Sequence, residues 1–155
     1  MEVVHNFLSK EVHQKIKSVL CNLDEFSYVN FPWYLSRNVA STDSNNNKEF
    51  YMYHPFYWDH APTSEWFDEL VVPLVEQLQP KSLMRVKANL YPSTETILEH
   101  DPHIDDDFSH KGAVYFVNTN NGYTTTNDNT KVPSVENSVL LFDPSEPHFS
   151  STCTD

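Results

Sequence analysis

Apolar residues at Val12, Ile16, Val19 and Leu20 recur at the three-to-four-residue spacing of one helix face. Ser9 stands just before them, where a side-chain oxygen can accept from the first unpaired backbone N–H groups. The pattern predicts a helix from Ser9 to about Leu20. Trp66, Phe67, Leu70, Val71, Leu74, Val75 and Leu78 follow the same period. They predict a second helix over about Glu65–Leu78, capped by Ser64 and bent or interrupted at Pro73, which lacks a backbone donor. Beyond Pro80 the period drops to two. Met84, Val86, Ala88 and Leu90 alternate with Arg85, Lys87, Asn89 and Tyr91, the signature of a strand. Ala113–Val117 and Ser138–Phe142 are short β-branched or aromatic runs bounded by turn residues, and both read as strands. Ser41–Asn47 reads as an exposed loop, because short Asn and Ser side chains compete for backbone hydrogen bonds. Asn118–Thr130, which holds Gly122, reads as a hairpin loop. No internal repeat interrupts the order. The elements describe one α+β domain, mainly β, over residues 1–155. Its helical part covers about residues 1–80, packed on a β-rich part over about 81–155.

Composition narrows the classes. The chain has 155 residues, the size of one domain, and a core that needs no disulfide staples. Its formal charge of −12 repels phosphate backbones and anionic membrane surfaces, so no nucleic acid and no membrane partner is expected. The longest apolar run, Leu70–Val75, falls far short of the ~20 residues of a membrane span. The first residues lack the basic and apolar regions of a signal peptide. Cys21 and Cys153 form no disulfide framework, which points to a reducing, cytoplasmic setting.

Eight histidines are spread along the chain. His5 and His13, at or near the first helix, read as exposed, and His54 and His60 read as packed in the aromatic stretch Phe50–Trp58. The informative segment runs from Glu99 to Asp107. In a strand, residues i and i+2 share a face, so His103 and Asp105 project together with Ile104 buried behind them. An imidazole and a carboxylate side by side offer two ligands to a divalent cation. A second imidazole would complete a facial triad with open positions, the donor set of non-haem Fe(II) oxygenases. His148, just after the Ser138–Phe142 strand, is the candidate third ligand. His100 is a rival, but it has no carboxylate two residues away. The three-residue pattern alone fits a solvated acidic loop equally well. Trp33, Trp58, Trp66 and Cys153 read as structural.

From about Leu83 onward the chain resembles the 2-oxoglutarate and Fe(II)-dependent dioxygenases of the prolyl 4-hydroxylase-like type, in particular the small members of marine phages and bacteria. The matching residues are Arg85–Pro92, His103-Ile104-Asp105, Tyr115–Asn118, Asn121–Thr124, Leu140–Asp143 and His148 with Ser151–Asp155. The resemblance implies a double-stranded β-helix, a cupin-like jelly-roll with the metal in one mouth of the barrel. It implies His103, Asp105 and His148 as iron ligands, Tyr91 as a hydrogen-bond partner of the cosubstrate, and Fe(II), 2-oxoglutarate and O2 as cofactors. With Met84, Val86, Ala88 and Leu90 packed on the helices, Lys87, Asn89 and Tyr91 would face the barrel interior. The implied activity is hydroxylation of a peptide, such as a peptidyl proline, or of a small molecule.

The family holds the far carboxylate of 2-oxoglutarate on a basic residue, usually Arg, a little after the second histidine. From His148 that place falls past Asp155, and the last cation is Lys131. The sequence therefore reads as lacking the last barrel strand, with an exposed C-terminal edge open to pairing with a second chain. Lys87 is a candidate replacement cation. Two rivals follow: a truncated or degraded relative that binds metal without turnover, and a binding or structural jelly-roll with no metal. The oligomeric state is not legible.

Overall fold

The computed structural model describes residues 1–21, 31–37 and 50–155. The predicted loop at Ser41–Asn47 lies outside them. Along the described residues the strands are β1 (Glu2–His5), β2 (Tyr34–Ser36), β3 (Tyr51–Trp58), β4 (Ala61–Pro62), β5 (Val86–Leu90), β6 (Gly112–Phe116), β7 (Tyr123–Thr125), β8 (Lys131–Pro133), β9 (Ser138–Phe142) and β10 (Phe149–Ser150). The helices are α1 (Lys10–Leu20) and α2 (Val72–Leu78), the latter preceded by a π-helical turn over Phe67–Val71. The protein is mainly β, in antiparallel sheets. Four of the strands fall within residues 1–80, which the sequence pattern reads as helical. The chain divides into two compact units: Met1–His5, Ser36–Tyr51 and Tyr91–Asp155 make one, Asn6–Leu35 and Met52–Leu90 the other.

The second unit carries the helices. Ser9 caps α1 as its position predicts, its hydroxyl accepting from Val12 N at 3.3 Å. The buried face of α1 is His13 and Ile16. His13, expected at the surface, is only 2% exposed, because at three residues' spacing it shares the face of Ile16. The second predicted helix is split. Trp66 N and Phe67 N turn onto Ser64, the π turn follows, and Pro73 sits in the first turn of α2, where a missing N–H costs nothing. A wider π turn is a common way to absorb such an irregularity.

β3 pairs antiparallel with β4 and with β5, its register shifting between Pro55 and Tyr57, next to a residue that cannot donate to a ladder. His54 is buried on β3, with Nδ1 donating to Pro32 O at 2.7 Å and Nε2 meeting Ser64 Oγ at 2.7 Å. It is a packed, satisfied histidine, as expected. In β5 the alternation holds for Val86, Ala88 and Leu90, which are half-buried, whereas Met84, expected with them, lies ahead of the strand and is exposed. Lys87 and Asn89 are exposed, not turned into an interior. Tyr91 lies beyond the strand end, so the alternation no longer ties it to them. Trp58 is also exposed, with the Arg85 guanidinium 5.8 Å from its ring centre.

The first unit holds two sheets. In one, β9 runs between β1 and β6, antiparallel to both, and its Val139 and Leu140 are fully buried. In the other, β7 runs between β10 and β8. Val132 of β8 packs into the cluster of Phe116, Leu140, Val3, Val114 and Phe142, so the two sheets share one core. The second sheet is extended past β10 by two isolated antiparallel pairs, Glu99 with Ser151 and His103 with His148. As hydrogen-bonded, the sheets are open ladders, not a closed barrel.

β7 falls inside the stretch read as a hairpin loop. Its Thr124 and Thr125 are β-branched and buried, so they make a strand that a hydrophobicity pattern misses. Gly122 leads into it where a Cβ would stand 2.9 Å from Asn120 Oδ1 and 3.0 Å from Thr152 O, so any larger residue there would have to push its neighbours aside. No helix among the described residues is long and apolar enough to cross a membrane.

Leu140 fills the centre of the shared core. Leu140→Ala is expected to lower the unfolding free energy by about 2–5 kcal/mol. Asn89→Ala, at an exposed position of β5, should stay within about 0.5 kcal/mol. Urea unfolding of the two variants, at unchanged slope, checks both.

Candidate metal centre

His103 and His148 form a backbone pair in which each N–H donates to the other's carbonyl at 3.0 Å. Directly opposed residues put their side chains on the same face. The imidazoles accordingly lie side by side, ring centres 4.5 Å apart. Asp105, two residues on from His103, brings its Oδ1 to 4.0 Å from His103 Nε2. One donor atom from each of His103, Asp105 and His148 lies within 4.8 Å of the others, and this group could hold a metal ion. The structure thus brings together the three ligands picked from the sequence. With bonds of about 2.1 Å, donors at right angles around one ion stand about 3 Å apart, so binding would draw the three closer.

The tautomers suit ligation. His148 Nδ1 lies 3.0 Å from Glu146 O, and His103 Nδ1 lies 3.5 Å from Asp101 O. A carbonyl only accepts, so in the neutral ring Nδ1 carries the proton and Nε2 is the nitrogen that can meet a cation. His148 is buried, whereas the His103 and Asp105 side chains are 29% and 28% exposed. One side of the group is open, as a site that takes a small molecule beside its protein ligands must be. Ile104, expected to be buried, is 47% exposed, and Phe108 is 50% exposed on the same segment. Residues 101–108 are extended loop around a single bridge, so nothing packs behind Ile104 as a sheet would. The ring of Phe142 stands edge-on to His148, at 4.8 Å, and also lines a cavity of about 170 Å³ with Thr126, Asn127, Asp143 and Glu146.

The pattern of the sequence did not single out Asp143, yet its carboxylate ties the ligand segments together. It accepts from Ser109 Oγ at 2.5 Å, from His110 N at 3.4 Å, and from Ser145 N and Oγ at 3.0 and 2.7 Å. Asp105 N donates to Pro144 O at 2.9 Å in the same crossing. Ser109 and His110 follow Asp105, and Ser145 precedes His148. One carboxylate therefore fixes both approaches to the site. The donors hold its carboxyl well below the usual carboxylate range, the Ser109 hydroxyl first and Ser145 second. A signal existed in the sequence: Asp143-Pro144-Ser145 ends the β9 run, and Asp two residues before Ser is a common side-chain turn.

The ring of Tyr91 lies 5.6 Å from that of Tyr51 and 5.0 Å from that of His100. His100, the rival ligand, is buried with Nδ1 against Ser150 Oγ at 2.9 Å, outside the three-residue group. Lys131 is engaged elsewhere, 2.8 Å from Glu99 Oε1 and 3.0 Å from Tyr123 Oη.

Asp143→Ala is expected to weaken divalent-metal binding about 10–100-fold, the usual loss for a partner one shell out. Competitive titration with a metal-sensitive dye measures it; an unchanged dissociation constant would remove Asp143 from the site. Compared with protein-family models, curated proteins and solved structures, the chain matches none of them.

Proposed function

We propose that this protein is a 2-oxoglutarate- and Fe(II)-dependent dioxygenase that hydroxylates a peptide or small-molecule substrate. The observation that carries the reading is the group of two imidazoles and one carboxylate, open on one side. Two histidines and a carboxylate with free positions suit non-haem Fe(II). The strand order supports a jelly-roll: one ladder of β1, β9 and β6 shares its core with another formed by residues 99–103, β10, β7 and β8.

His103 Nε2, His148 Nε2 and the Asp105 carboxylate would hold the iron. Bound there with 2-oxoglutarate, Fe(II) supplies O2 activation, one oxygen atom going to the substrate as hydroxyl and the other to succinate, with release of CO2. The chain's own share is to orient and to exclude water. The carbonyls of Glu146 and Asp101 orient the two rings through Nδ1, which leaves Nε2 of each as the ligand nitrogen. Asp143 keeps the ligand segments in register. Tyr91 stands beside the ligand-bearing sheet to position the cosubstrate. Ile104 and Phe108 offer apolar surface to a substrate at the open side.

A second reading, a metal-binding jelly-roll without turnover, is favoured by the position of Lys131, which is paired with Glu99 rather than offered to a cosubstrate. Anaerobic addition of Fe(II) and then 2-oxoglutarate separates the two. The dioxygenase should develop a weak visible charge-transfer band only with both present, lost in His103→Ala. Metal binding with no such band, and no succinate formed under O2, would favour the second reading.

A further inference from the structure

His100 has no role in the metal group, yet it is only 3% exposed and lies on the ligand-bearing face. The register fixes this. His148 and Ser150 are two residues apart on one strand, so they share a face. Ser150 is paired with Thr124, which therefore faces the same way. His100 meets Ser150 through its Nδ1 and stacks near the ring of Tyr91. Going inward from His103 and His148, the next row thus consists of His100, Ser150 and Thr124, with Tyr91 beside it. Two strand residues span about 6.6 Å, close to the length of a short extended diacid with one end on the metal.

We infer that His100, with Ser150 and Tyr91, forms a carboxylate subsite that anchors the far end of 2-oxoglutarate, His100 taking up a proton as the ligand binds. This rests on the dioxygenase reading and adds to it the group that neutralises the cosubstrate's second charge. Lys131 cannot serve: it pairs with Thr125, next to Thr124 in the strand, and so lies on the opposite face, bound to Glu99 and Tyr123. Among the described residues no side chain hydrogen-bonds His100 Nε2, so a ligand oxygen has an atom to meet.

Burial holds the free imidazole below its ordinary value, so His100 is neutral at pH 7.5. The nearby His103 pushes the same way, while the hydrogen bond to Ser150 and the Asp101 charge oppose it. A carboxylate at Nε2 favours the charged form. The bound His100 titrates higher than the free one, so affinity rises as pH falls toward the free value and flattens below it. A charged pair in a dry site is stronger than a neutral one, and the burial that costs the free imidazole its proton also strengthens the bound pair.

The test is calorimetry on the Mn(II)-loaded protein at pH 7.5, in two buffers of different ionisation enthalpy. The probes are 2-oxoglutarate and 2-oxobutyrate, which presents the same keto acid without the far carboxylate. Wild type should take up close to one more proton with 2-oxoglutarate than with 2-oxobutyrate. His100→Gln should abolish that difference and weaken 2-oxoglutarate roughly tenfold, with 2-oxobutyrate unchanged within about twofold. Equal proton counts for the two acids in wild type overturn the subsite without recourse to any variant, as does an equal loss for both acids in His100→Gln. Mn(II) binding with neither acid bound overturns the dioxygenase reading itself, and the subsite with it.

Discussion

The reciprocal backbone pair between His103 and His148 is the constraint on which the site depends. Two N–H···O bonds of 3.0 Å force the residues opposite one another, and the pleat does the rest. Neither histidine needs its own side-chain partner to be aimed. Asp105 needs only the following two residues of extended chain to join them. A one-residue slip between these segments would send both imidazoles to the other face and disperse the donors.

A single bridge is a weak hold on two loop segments, and the surroundings compensate. Asp143 gathers hydrogen bonds from the segment after Asp105 and from the segment before His148. Gly112, at the start of β6, admits Pro144 so closely that a Cβ there would stand 2.9 Å from its ring. The crossing is thus packed as well as hydrogen-bonded, on the end of β9, whose Val139 and Leu140 are fully buried. The ligand segments borrow their rigidity from that strand, which lets the metal-facing side remain open.

What could be read from the sequence follows from how local the determinants are. α1, with Ser9 and the spacing of Val12 and Ile16, is local, and its bounds were legible. β9 is a contiguous apolar run and was legible to the residue. β7 was not, because its buried residues are threonines whose burial depends on partners in β8 and β10. β1 is four residues with only Val3 and Val4 to mark it, and its strand state depends on β9, far along the chain. His103, Asp105 and His148 could be picked because metal donors are few and their spacing is informative. The local turn at Asp143-Pro144-Ser145 was visible, but its bonds to Ser109 and His110 join distant segments, and His100 likewise takes its place from a tertiary neighbour, Ser150. Ile104 went wrong because the period-two rule assumes a sheet behind the strand, and here there is a single bridge.

The pairing of β1 with β9 joins Glu2 to Leu141, nearly the full length of the chain. Closing so long a loop is entropically costly and contributes no contacts until it is complete. On a ribosome the first strand emerges early and must wait, unpaired, until β9 has been made. The β6–β9 ladder and the His103–His148 crossing span far shorter loops and can form first. Assembly would then run from the metal-bearing end outward, leaving Val3 and Val4 as a late seal on one edge of β9. Until that seal forms, the same edge is open to the strands of neighbouring chains, so crowding during synthesis is the stage at which this fold is most exposed to mispairing.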